Sequence, residues 1–152
     1  MALKQRIEDD TKTALLGGNR FAAQTLRGLK AAVLNEEVAL GRRDEGLNDD
    51  EIEKIIAKEV KKRNESIALY EQNGRPDLAE DEKKELEILS VYLPQQLDEA
   101  ALKDIISNKI AELGASTPQA MGQVIGAVKT HVGNTADGAT VARLVKEALN
   151  EN

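Results

Sequence analysis

Apolar residues fall at three- and four-residue steps along most of the chain, the spacing of one helix face, and glycine, asparagine and proline divide them into discrete helices. The pattern predicts a first helix from about Ala2 to Leu16, with Leu3, Ile7, Ala14 and Leu15 on its apolar side and Gly17-Gly18 ending it. Asn19 can cap a second helix, where Ala22, Leu26, Leu29, Val33 and Leu40 share a face and Gly41 stands at an expected left-handed stop. Gly41 to Leu47 reads as an exposed connector. Asn48 lies three residues before Glu51, a spacing at which each side chain can satisfy the other's free backbone amide, so a third helix starts there. It carries Ile52, Ile56, Val60, Ile67 and Tyr70 on one face and runs to about Gln72. Gly74-Arg75-Pro76-Asp77 then joins a helix stop to a helix-starting proline, so a fourth helix folds back on the third as a long hairpin.

The fourth helix contains a conflict, because its apolar stripe of Leu78, Leu89 and Tyr92 passes through Glu82 and Glu85. Arg63 falls in register between Val60 and Ile67 on the third helix, so the hairpin can bring it to Glu82 or Glu85 in a partly buried ion cluster. The alternative is a site facing an anion or RNA.

Tyr92-Leu93-Pro94-Gln95-Gln96-Leu97 is the strongest boundary in the chain, since proline lacks an amide hydrogen and disfavours helical geometry in the residue before it. It separates an N-terminal helical module, residues 1–93, from a C-terminal one, residues 94–152. In the second module Asp98 can cap a helix bearing Leu102, Ile105, Ile106 and Leu113, closed by Gly114. Ser116 or Thr117 caps the next, with Pro118 in its first turn and Met121, Gly122, Val124, Ile125, Gly126 and Val128 along it. Two glycines inside so short a helix cost roughly 0.8 to 1 kcal/mol each against alanine. Gly122 and Gly126 share a face, and either a closely packed helix or the approach of an RNA backbone or partner chain can offset that cost. Asp137 is a plausible cap for a last helix carrying Val141, Leu144, Val145, Ala148 and Leu149, with Arg143 and Lys146 on its polar side. The fold class is therefore all-α: about four helices followed by a compact three-helix unit.

Composition agrees with helices, since 32% of the 152 residues are charged and only 2% aromatic. There is no cysteine, which excludes disulfides and thiolate chemistry, and no phosphate-binding glycine loop, dinucleotide fingerprint or Gly-x-Ser-x-Gly elbow. His131 is the only histidine, so two-histidine metal sites are excluded within one chain. It reads as a helix-terminal surface residue. Neither a metal nor a cofactor is expected. The start lacks an apolar signal core and no long apolar run follows, which makes cytoplasm the default location, with no membrane partner. A net charge of −6 argues against coating nucleic acid by bulk attraction, and no DNA partner is expected. The densest basic run, Lys54, Lys58, Lys61 and Lys62, is either a solvated helix face or a stripe of phosphate contacts through Lys54, Lys58 and Lys62. No aromatic residue interleaves with it to stack bases.

Lys62-Arg63-Asn64-Glu65-Ser66, Gly74-Arg75-Pro76-Asp77-Leu78-Ala79, Glu82 to Glu85, Tyr92 to Leu97, Met121-Gly122 with Gly126, and Ala136-Asp137-Gly138 before Val141 resemble, in order, the GatB/YqeY family of small helical proteins. The resemblance implies a second module similar to the tail domain of the GatB subunit of glutamine-dependent tRNA amidotransferase, a domain that engages tRNA while the chemistry resides elsewhere. It implies a carbon-nitrogen ligase label without independent catalysis. The expected partners are tRNA and the amidotransferase or aminoacyl-tRNA machinery. By family position, Met121, Gly122, Gly126, Lys129, Asp137 and Gly138 form the expected RNA-facing surface, with Arg143 and Lys146 nearby. Family members often carry basic residues on both sides of the Ala-Asp-Gly turn, whereas this chain has Asn134-Thr135 and Ala139 there. The rival expectation is an adaptor that keeps the fold and binds protein rather than RNA.

Overall fold

The computed structural model describes residues 2–150, all of whose regular structure is helical. Seven α-helices follow in order: α1 (Ala2–Leu16), α2 (Arg20–Ala39), α3 (Asp49–Gln72), α4 (Pro76–Ser90), α5 (Glu99–Leu113), α6 (Met121–Val132) and α7 (Gly138–Asn150). Short 3-10 turns at Pro118–Ala120 and Gly133–Thr135 flank α6. The chain forms two compact units, one ending at Leu93 and the other beginning at Pro94. Among the described residues no helix is long and apolar enough to cross a membrane.

Helix starts follow local capping chemistry. The Asn19 carboxamide accepts from the Ala22 amide at 3.1 Å, Asn48 and Glu51 close a reciprocal box, and Asp98 accepts from the Ala101 amide at 2.8 Å. Gly74, with φ of +71°, turns α3 into α4, a conformation that a Cβ would strain.

The first unit packs Leu3, Ile7, Leu26, Leu29, Val33, Leu47, Ile52, Ile56, Leu89 and Tyr92 into one core. Five places differ from the sequence pattern. Leu15 and Leu40, each at a helix end, are exposed. Thr11 takes the buried place on α1 and returns its hydroxyl to the Ile7 carbonyl at 2.7 Å. The connector after α2 is anchored, since Leu47 is fully buried and Arg42 donates to Glu45, Glu51 and the Gly46 carbonyl. On α4 it is Ala79, not Leu78, that is buried.

At the end of this unit the Tyr92 hydroxyl donates to Asp10 at 2.5 Å, and the Arg6 guanidinium lies 4.8 Å from the centre of the ring. Burial first, then the bond to Asp10, pushes the phenol above the usual tyrosine range.

The second unit closes α5, α6 and α7 around Leu102, Ile106, Val124, Val128, Val132, Val141, Leu144, Val145 and Leu149. The expected side-chain cap before α6 is absent. Thr117 makes no capping bond, and Pro118 opens a 3-10 turn that leads into the helix at Met121.

Candidate nucleic-acid interface

Val124, Val128 and Val132 turn α6 toward the core, which leaves Gly122, Gly126 and Lys129 on its exposed side at steps of four and three. A methyl group added to either glycine would meet no atom within 4 Å. Close helix packing, one of the two explanations open from the sequence, is therefore excluded among the described residues. Met121 is half-buried against the core.

Lys129 reaches from α6 to the start of α7. A Cβ on Gly138 would stand 3.4 Å from Lys129 Cε and 3.5 Å from Nζ, so glycine here gives the lysine tip its course. The Asp137 carboxylate accepts from the amide and hydroxyl of Thr140, both at 3.1 Å, and so serves as the α7 cap. Arg143 is also occupied. Its guanidinium pairs with Glu99 at the start of α5 and with Glu147 at 3.2 Å, and the Glu99 bond, then the Glu147 bond, raises its pKa. Lys129 and Lys146 are exposed and have no ion pair among the described residues.

One signal in this region escaped the residue-pattern reading. From Leu113 to Ala136 the chain has no acidic residue, although it carries 27 acids in total. This stretch covers all of α6 and both flanking turns. A helix with no acid of its own adds none of the repulsion that a phosphate backbone meets on the acid-bearing helices of this chain.

The lysine run on α3 is less available. Lys54 pairs with Asp50 at 3.1 Å and Lys62 lies 3.7 Å from Glu59, while Lys58 is exposed and has no ion pair among the described residues. Two of the three lysines thus have acidic partners on their own helix.

The ion cluster differs from its expected membership. Arg63 Nε donates to Glu85 at 3.0 Å, and its terminal nitrogen donates to both the side chain and the backbone carbonyl of Glu59 at 3.0 Å. Glu82 makes no hydrogen bond or ion pair to Arg63. The turn sets this register: Arg63 and Glu85 stand equally far from Gly74 along the two arms, while Glu82 is nearer the tip. Burial, and then the Glu85 charge, pushes the Glu82 carboxyl above the usual glutamate range, with Arg63 opposing only in part. Glu59 was detectable as the residue one turn before Arg63. Glu37, 2% exposed and bound by Lys4 at 2.7 Å, follows Val33 by one turn and interrupts an apolar stripe as Glu82 does.

No group of three or more His, Asp or Glu side chains is placed to hold a metal ion among the described residues. The fold and this surface define an all-α protein of a four-helix and a three-helix unit, with a glycine-faced, acid-free helix in the second. The chain belongs to the Yqey-like protein family, whose model matches residues 4–149. It is similar to "Altered inheritance of mitochondria protein 41, mitochondrial" of Lachancea thermotolerans, at 31% identity over 114 residues, covering 74% of this chain and 60% of that protein. The proteins of the same name from Clavispora lusitaniae and Kluyveromyces lactis are 32% and 29% identical, over 76% and 81% of this chain and 66% and 67% of theirs. This chain thus spans about 60% to 67% of these relatives' length. Their names overturn the cytoplasmic expectation. That expectation rested on a missing secretory core and missing apolar span, features that mitochondrial import does not use, since its leaders are amphipathic and arginine-rich.

Proposed function

We propose that this protein is a non-catalytic tRNA-binding accessory module, associated with glutamine-dependent tRNA amidotransferase, and that its RNA-facing surface is the exposed side of α6. The observation that carries this reading is the pair Gly122 and Gly126, uncovered on an acid-free helix. No atom among the described residues packs on them to offset their helix cost, and a bare glycine face lets a sugar-phosphate backbone come closer than any side chain would. Lys129 supplies a phosphate contact at one end of that face, with Lys146 on α7 as a second cation. Asp137 and Gly138 act indirectly, the first by starting α7 and the second by giving Lys129 room.

The test is a tRNA binding titration at several salt concentrations, with Gly126→Ala and Lys129→Ala beside the wild type. Gly126→Ala should stabilise the fold by about 0.8 to 1 kcal/mol, since open space receives the methyl group, and yet weaken tRNA binding. Lys129→Ala should reduce the salt slope by about one. Unchanged tRNA affinity in Gly126→Ala would refute this surface.

The occupied state of Arg143 and the absence of basic residues on either side of the Ala136-Asp137-Gly138 turn favour the adaptor reading instead. No binding at low salt, with a protein partner recovered by pull-down, would select it. Glutamine hydrolysis by the pure chain would overturn the non-catalytic assignment.

A further inference from the structure

We propose that the tip of the α1–α2 hairpin docks this protein on anionic lipid bilayers. α1 ends and α2 begins across Gly17-Gly18-Asn19, and the two helices pack together through Leu3, Ile7, Leu26 and Leu29. The last two residues of α1 take no part in that core. Leu15 stands 46% exposed and Leu16 90%, more than any other large apolar side chain among the described residues. Such a side chain, projecting from the end of a hairpin, gains from transfer out of water as soon as an apolar phase reaches it.

A cationic collar surrounds these leucines. Lys12 precedes Leu16 by one turn of α1, and Arg20 opens α2 just past the glycine turn. Arg20, Gln24 and Arg27 recur at steps of four and three, so they share an exposed face of α2 that leads away from the tip. Lys12, Arg20 and Arg27 are exposed and have no ion pair among the described residues. From Thr11 to Asn35 the chain holds four cations and no acid, against a net charge of −6 for the whole. The acids of α1 that precede this stretch are engaged. Asp10 accepts from the Tyr92 hydroxyl at 2.5 Å, Asp9 from Gln5 at 2.9 Å, and Glu8 pairs with Lys30 at 2.9 Å. On α2 the first acid, Glu36, lies roughly 24 Å along the helix from Arg20.

The charge fits an anionic surface, and the leucines select a bilayer over a nucleic acid. A phosphate backbone offers nothing to two exposed leucines, and the only aromatic nearby, Phe21, is half-buried rather than free to stack on bases. A protein partner would need a preformed apolar socket, whereas a bilayer receives a projecting apolar tip at the boundary of headgroups and acyl chains while the headgroups take the cations. Two leucines and three free cations give weak, reversible docking rather than a fixed anchor. The expectation of no membrane partner rests on the missing spanning segment, which docking of this kind does not use.

Because the chain has no tryptophan, Leu16→Trp places a single fluorophore at the tip. Its emission should shift to the blue when phosphatidylcholine vesicles containing about one third phosphatidylglycerol are added, up to millimolar lipid, and brominated acyl chains should quench it. Pure phosphatidylcholine should bind about tenfold more weakly, and added salt should weaken binding to the anionic vesicles. Flotation of the tryptophan-free chain with the anionic vesicles gives the mutational fold-changes. Leu16→Asp and Arg20→Glu should each weaken binding at least about tenfold, while Val38→Asp, an exposed apolar position at the other end of α2, should leave it unchanged. Far-UV circular dichroism checks that each variant is folded. A wild-type chain that does not float with anionic vesicles, or binding that survives Leu16→Asp, overturns the proposal. So does Leu16→Trp emission that shifts with tRNA and not with vesicles, since the tip would then be a nucleic-acid contact.

Discussion

Replacing Arg63 with methionine keeps the aliphatic length of the side chain and removes its charge, so it isolates the ion cluster between α3 and α4. Arg63 is 20% exposed, and its partners Glu59 and Glu85 are 18% and 31% exposed. Two charge-assisted bonds and one bond to the Glu59 carbonyl are lost, and three carboxylates, including the unbonded Glu82, then face one another without the guanidinium. Hydrogen bonds to charged groups contribute about 1.5 to 3 kcal/mol, and stripping one partner from a fully buried pair costs about 3 to 5 kcal/mol. Partial exposure screens this site, and Lys62, 3.7 Å from Glu59, retains some compensation. The expected loss is about 2 to 3 kcal/mol. With no tryptophan in the chain, urea unfolding followed by circular dichroism is the suitable assay.

The diagnostic comparison adds Glu59→Gln, Glu82→Gln and Glu85→Gln to the Arg63→Met chain. Once the carboxylates are neutral nothing is left repelling, so the combined variant should recover most of the loss. Equal midpoints for the single and combined variants would refute the cluster as an electrostatic clamp. They would leave Arg63 as a packing residue only.

Glu82→Gln alone should stabilise the protein at neutral pH. A carboxyl whose folded pKa lies above its unfolded value weakens the fold when ionised, so the advantage should vanish as pH falls through that raised pKa. A destabilised Glu82→Gln at neutral pH would instead indicate an ionic partner for this carboxylate. Tyr92→Phe removes the donor to Asp10 and should cost about 1 to 2 kcal/mol in the same urea assay, with no change in helix content. A cost near zero would mean that water replaces the phenol at no loss.

Much of the helical plan is written in local chemistry. Asn19, Asn48 and Asp98 bond amides only three residues ahead, so the helix starts are settled within one turn of sequence. What escapes the residue pattern depends on contacts distant along the chain. Leu47 sits among polar and glycine neighbours that read as solvent-facing, yet the closure of α2 on α3 buries it fully. Glu82 and Glu85 are equivalent on a helical wheel, and only the position of the Gly74 turn decides which one Arg63 meets. The α6 glycines were conspicuous in sequence, but whether another helix covers them is a property of the assembled unit.

Glu82 and the α6 glycines are alike in one respect: each departs from local preference, Glu82 with only the partial compensation of the Arg63 charge and the glycines with no packed contact among the described residues. Such departures concentrate at functional or strained sites, although natural sequences also retain some that stability alone would remove. The two sites nevertheless carry different weight. Glu82 adjoins a cation and a second carboxylate, so its cost can follow from building the Arg63 clamp on a narrow hairpin. Gly122 and Gly126 adjoin open space on a helix without acids, and no contact among the described residues accounts for that combination. The RNA contact proposed for α6 would account for that cost, which is why the glycine face, rather than the lysine run or the carboxylate pair, is the part of this protein to challenge with RNA.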